Sequence, residues 1–210
     1  MHVPWGIVMM VVSVGVFSAN TAVAQDVITD QVFITSGHGE LFGLTTGAGV
    51  ARKFLTAGED VLVIEAKGVT GFVQTNTRLL GFSGQLKRWG DLTLAIGEQI
   101  IKWTVTPRMI VAQGQAAAYG FQSDSGRWKK EVLGAGEFFR ENVVDDHVGV
   151  LVTNRRVLGF SALTGGFFSQ DIPSGNRIDD IDINDNVVVI HLGLRKLVLR
   201  SGLAIWAELP

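Results

Sequence analysis

The 210-residue sequence contains no cysteine. That excludes disulfides, thiolate nucleophiles, cysteine-ligated zinc and a lipid-modified cysteine, so stability has to come from burial alone. Proline is scarce at four residues. Charged residues make up 18% and the formal net charge is -2, which leaves neither a basic stripe for nucleic acid nor an acidic tail. His38, His147 and His191 show no metal-ligand spacing. No G-x-S-x-G elbow occurs, and Gly47-Ala48-Gly49 and Gly165-Gly166 open no helical pattern, so they read as hairpin turns rather than phosphate loops. No motif calls for a cofactor or a metal. Apolar stripes of helical period are missing as well.

What is present is glycine, 26 residues of it, among many valines, isoleucines and phenylalanines, the composition of short strands joined by tight turns. One long apolar run stands apart. Val3 to Phe17 carries no acidic or basic side chain and is followed by small residues ending in Ala22-Val23-Ala24, the pattern of a secretory signal peptide. At about 15 residues the run is short of the roughly 20 a bilayer core requires. The expectation is a leader over residues 1–24 and a single domain over 25–210. The mature chain is expected to be secreted or periplasmic and not stably inserted in a membrane. Little positive charge precedes the run, which leaves an uncleaved anchor as the alternative.

The rest of the chain repeats. Arg78-Leu-Leu-Gly-Phe-Ser83 recurs as Arg156-Val-Leu-Gly-Phe-Ser161, and anchoring on the glycine gives Gly43, Gly81, Gly120 and Gly159, with Val198 in the fifth slot. The steps, by subtraction, are 38, 39, 39 and 39 residues. The next position is always large and apolar: Leu44, Phe82, Phe121, Phe160 and Leu199. Eight residues after the anchor come Trp89, Trp128, Phe167 and Trp206, with Ala51 breaking the rule. Gly58-Glu59, Gly97-Glu98 and Gly136-Glu137 also keep step, with Gly175-Asn176 as the fourth version.

Each unit divides into four short strands, A to D. Strand A is seen as Val27-Ile28, Val63 to Ala66, Lys102 to Val105, Asn142 to Val144 and Ile181 to Ile183. A β-branched run forms B, the anchor lies on C, and the aromatic opens D. A period of this size marks an architecture in which each unit buries its apolar face on its neighbours. Five units of four antiparallel strands resemble the β-propeller superfamily, so the expected fold is an all-β, five-bladed propeller whose chain ends meet at one junction. The Trp-Asp dipeptide of WD40 blades and the kelch double glycine are both missing, so the resemblance implies shape and no particular family. A bacterial pleckstrin-like domain and an outer-membrane barrel compete with it. The first needs a terminal helix and the second needs longer strands.

Two sets of side chains offer chemistry. Arg78, Arg156 and Arg195 share one slot three residues before the anchor. They suit an anionic ligand, or else pair with the turn glutamates Glu59, Glu98 and Glu137, which share their period. On strand A, alternation puts Glu65, Lys102, Glu141, Asp180 and Asp182 on one side, where they would surround a central channel. Carboxylates so placed suit a cation or a glycoside-cleaving pair, although the loops are short for a substrate cleft. The reading that follows is an exported binding or scaffold protein. Its expected partner is another protein or a weakly and multivalently bound glycan, with no nucleic acid, and its alternative is a hydrolase using the channel carboxylates.

Overall fold

The structure is a computed structural model and describes residues 30–47, 49–173, 177–203 and 205–209. Among these residues there is no helix. The first sheet holds β1 (Val32–Gly37), β2 (Glu40–Thr45) and β3 (Val50–Phe54). The second holds β4 (Val61–Lys67), β5 (Thr70–Thr75), β6 (Arg78–Ser83) and β7 (Arg88–Thr93). The third is built of β8 (Ile100–Val105), β9 (Met109–Gly114), β10 (Ala117–Gln122) and β11 (Arg127–Val132). The fourth comprises β12 (Phe139–Val144), β13 (Val148–Thr153), β14 (Arg156–Ser161) and β15 (Phe167–Asp171). The fifth comprises β16 (Asp180–Asn184), β17 (Val187–Leu192), β18 (Arg195–Arg200) and β19 (Trp206–Leu209).

Within each sheet every strand pairs antiparallel with its neighbour in sequence, so the four-stranded sheets are meanders with the A-to-D order read from the repeat, and the first sheet shows B to D. The protein is an all-β, five-bladed β-propeller. The expected strand at Val27-Ile28, which would complete the first blade, and the expected leader both lie outside the described residues.

Alternation along a strand sends successive side chains to opposite faces of a sheet. Gly81 therefore faces blade 3 while Phe82 faces blade 1. The same rule runs along the chain: Phe82 lies over Gly43, Phe121 over Gly81, Phe160 over Gly120 and Leu199 over Gly159. The anchor is glycine because the next blade's side chain occupies the space a Cβ would take; at Gly120 that Cβ would stand 2.3 Å from the Phe160 ring. Beside each knob sits its cross-strand aromatic partner, in the pairs Phe82–Trp89, Phe121–Trp128 and Phe160–Phe167 with ring centroids 5.0, 5.2 and 4.9 Å apart. The three indoles of the last strands also reach back to the preceding blade. Trp89 Nε1 donates to Ala51 O at 3.0 Å, Trp128 Nε1 to Gly90 O at 3.2 Å and Trp206 Nε1 to Phe168 O at 2.8 Å.

Four core clusters result, one for each pair of consecutive blades. Ile34 and Leu41 meet Leu80 and Phe82; Phe72 and Leu79 meet Ile110 and Phe121; Met109 and Val111 meet Leu151 and Phe160; Val150 and Val157 meet Ile190 and Leu199. Each fully buried side chain of this size stabilises the fold by about 1.5–3 kcal/mol relative to its exposed state. Turns between the first two strands of successive blades are also joined, through Gln31 N to Gly68 O, Val69 N to Pro107 O and His147 N to Asp185 O.

The chain ends, and with them their expected meeting, lie outside the described residues; among the described residues no core cluster joins blade 5 to blade 1. The two outer faces differ from the inner ones. On blade 5 the anchor is Val198, which fills the place where a neighbour's knob would enter, and Asp180, Asp182, Lys196 and Arg200 stand exposed on the same face. On blade 1 the hairpin between β2 and β3 is one residue shorter than its counterparts, so Val50, not Ala51, is the cross-strand partner of the knob Leu44. No indole is available there to reach across. That face leaves Phe33, Val50 and Phe54 at 63%, 58% and 68% exposure.

Candidate functional site

The loops between strands B and C and those between D and the next A share one side of the array, as strand parity requires, and there the repeated Thr-Asn and Gly-Glu pairs meet. Thr75 Oγ1 donates to Glu59 Oε1 at 2.7 Å and Asn76 Nδ2 to Gly58 O at 3.0 Å. Blade 4 copies this with Thr153 Oγ1 to Glu137 Oε1 at 2.8 Å and Asn154 Nδ2 to Gly136 O at 3.2 Å. Into each corner comes the slot arginine. Arg78 grips Glu59 through Nε at 2.9 Å and Nη2 at 2.6 Å and also donates to Phe54 O. Arg156 donates to Glu137 Oε1 from Nε at 2.9 Å, to Glu131 from Nη1 at 2.7 Å and to Val132 O.

Two of these three arginines, Arg78 and Arg156, pair with turn glutamates. Arg78 and Arg156 each clamp a blade to the last strand and turn of the blade before it. Burial pushes the Glu59 carboxyl up, but hydrogen bonds from Arg78, the Thr56 backbone, Thr75 and the Thr56 hydroxyl outweigh it and bring the value down to about 2. Glu137 is also pushed up by burial, yet Arg156, the Gly134 N–H and Thr153 hold it below the usual carboxylate range. In blade 3 the slot holds Ala117, and Glu98 accepts from the Ala116 N–H instead. Arg195 pairs on the open surface with Glu208 of its own blade.

The strand A row is divided among blades. Glu65 Oε2 accepts the Trp103 indole at 2.9 Å and Lys102 Nζ donates to Asn142 O at 2.9 Å, so both hold the following blade. Asp182 contacts His191 Nε2 at 2.9 Å within blade 5, and Asp180 accepts from the Ile181 N–H. Glu141 lines a cleft of about 170 Å³ at the junction of blades 4 and 5. Arg140, Val152, Ile172, Arg177 and Ile178 line it too.

Sequence reasoning missed Arg140 and Arg177. Their signal is departure from the period. Strand A carries a β-bulge in blades 2, 3 and 4, and the bulged residues are Leu62, Ile101 and then Arg140. The Gly-Glu turns are followed by Asp60, Gln99 and Phe138, and the fourth version by Arg177. It also missed the Asp145, Asp146 and Asp185 carboxylates, whose oxygens lie within 4.8 Å of one another. They belong to the row of joined turns described above.

No family model matches the sequence, and no curated protein matches it. Solved structures do. Human WBSCR16 is similar over 81% of this chain and 61% of its own, with 11% identity and a TM-score of 0.40. Hsv2p of Kluyveromyces lactis is similar over 86% of this chain and 60% of its own, at 10% identity and a TM-score of 0.39. Prp20p of Saccharomyces cerevisiae is similar over 81% of this chain and 55% of its own, at 6% identity and a TM-score of 0.39. The chain spans between half and two thirds of the length of the solved chains it matches.

Proposed function

We propose that the protein acts by binding, as an exported scaffold that holds another protein on the outer face of blade 1. The observation that supports this reading is the exposed apolar face itself. Among the described residues, Phe33, Val50 and Phe54 flank the less exposed Phe42 and Leu44 on one side of a three-stranded sheet, with Arg52 stacked on the Phe42 ring and Thr35 beside it. A shallow groove of about 370 Å³ runs along it past Phe33 and Leu44. Grouped apolar exposure of this kind marks interaction surfaces on soluble proteins. The occupant is read as an apolar sheet of a different protein, because the knob Leu44 fits a glycine-anchored face, and in this chain the faces anchored by Gly43, Gly81, Gly120 and Gly159 are each covered by the next blade. Export rests on the apolar run from Val3 to Phe17 and the small residues that follow it. Multivalent glycan binding has less support, since the repeated Arg78 and Arg156 are held in internal ion pairs.

Photocrosslinking in a native extract tests the reading, with p-benzoylphenylalanine substituted for Phe33, for Phe54, or for the exposed Leu203 of blade 5 as a control. The expected result is one defined adduct at both blade 1 positions, absent at Leu203 and lost when Val50→Glu is added. Equal adducts at all three positions, none at all, or a crosslink between two copies of this chain would overturn it.

A further inference from the structure

We infer that the cleft between blades 4 and 5 is a single asymmetric binding site for a monoanionic carboxylate carried on a short aliphatic group. Two arginines line the cleft, Arg140 from the bulge of β12 and Arg177 from the segment leading into β16. Neither has an ion-pair or hydrogen-bond partner among the described residues, and Arg140 makes only a cation–π contact with Phe138 at 5.8 Å. This sets them apart from Arg78, Arg156 and Arg195, which are all paired. At the corresponding junctions earlier in the chain a glutamate of the turn accompanies the slot arginine, as Glu59 and Glu137 do. In the fourth copy of the repeat the sequence carries Asn176 in place of that glutamate, outside the described residues.

The charge of the cleft selects the ligand. Two arginines and Glu141 sum to a formal +1, which one carboxylate neutralises and a phosphate dianion would overshoot. Thr153 and Asn154, at the rim, already donate to Glu137 and to Gly136 O, so the unengaged donors are the two guanidiniums. Val152, Ile172 and Ile178 form the remaining wall, and a volume of about 170 Å³ holds a small aliphatic acid or one terminal apolar residue. The carboxylate could belong to a peptide C-terminus or to a free acid. The site lies on different blades from the face proposed for protein binding, so either reading can fail without the other.

Methyl NMR titration of the full chain decides the matter, with two probes: 4-methylpentanoate, and an acetyl-Gly-Leu peptide as its free acid and as its C-terminal amide. The expected result is a saturable shift of the Val152, Ile172 and Ile178 methyls. Arg140→Gln and Arg177→Gln should each weaken apparent affinity by about fivefold or more, and Glu141→Gln should tighten it by about two- to fivefold. Stronger binding of the peptide acid than of 4-methylpentanoate assigns a chain terminus, and the reverse assigns a free acid. Absence of a saturable shift up to about 50 mM of either acid, equal binding of the amide, or unchanged affinity in Arg177→Gln would overturn the inference. All three substituted side chains are exposed, so unchanged thermal melting is expected and separates lost binding from lost fold.

Discussion

The ring of Phe121 lies over the α-carbon of Gly81, so close that a Cβ added there would come within 2.5 Å of the ring. Gly81→Ala must push Phe121 out of its place against Trp128, and we expect it to lower stability by about 1–3 kcal/mol. Gly202→Ala, with nothing within 4 Å of the added carbon, should stay within about 0.5 kcal/mol of wild type. Urea denaturation checks both: the Gly81 variant should lower the midpoint at constant slope, and equal midpoints for the two variants would refute the close-approach account.

Trp128 offers a way to separate ring from indole. Trp128→Phe keeps the contact with Phe121 and removes the hydrogen bond to Gly90 O, which should cost about 1 kcal/mol. Trp128→Ala removes both and should cost about 3 kcal/mol or more. If the two variants unfold at the same denaturant concentration, the aromatic contact contributes nothing to the junction.

Acid should loosen the blade clamps. The Glu59 carboxyl lies below its unfolded value of 4.5, so its contribution is fully present above about that pH and is lost as pH falls toward 2. Glu137 acts in the same direction. The contribution of Glu59 is on the order of 3 kcal/mol. Glu59→Gln should therefore be markedly less stable than wild type near neutrality, and the gap should narrow through that acid window. A gap that stays constant with pH would mean the ion pair with Arg78 is energetically silent.

Glu65 is expected to serve as an acceptor for the Trp103 indole rather than as a charge. Glu65→Gln retains a side-chain oxygen and should change stability by less than about 0.5 kcal/mol, whereas Glu65→Ala should lose about 1 kcal/mol. Thermal denaturation of the two variants side by side distinguishes these outcomes. A glutamine variant as unstable as the alanine one would return Glu65 to the role of a charged group.

Which parts of this molecule could be read from its sequence follows from what each contact is made of. The blade period was legible because a glycine and the bulky residue after it are both side-chain identities fixed by one repeated contact, as at Gly120 and Phe160. The pairing of Arg78 with Glu59 could be anticipated because both partners keep the period. Indole bonds such as that from Trp206 to Phe168 O were hidden, since a backbone carbonyl leaves no mark on the sequence. The shorter hairpin of blade 1 also misled the count, so that Ala51 looked like a broken rule where Val50 holds the place. Arg140 and Arg177 escaped notice for the opposite reason: a search for regularity passes over residues that matter by being irregular.

Val198 has a consequence for assembly. A face that accepts another sheet's knob invites a copy to add there, and repeated addition of that kind is the arrangement from which fibres grow. Here the side chain of Leu44 from an incoming molecule would meet the branched methyls of Val198 instead of a bare α-carbon, with the charges of Lys196 and Arg200 on either side. One valine in the fifth repeat thus opposes polymerisation at its first point of contact.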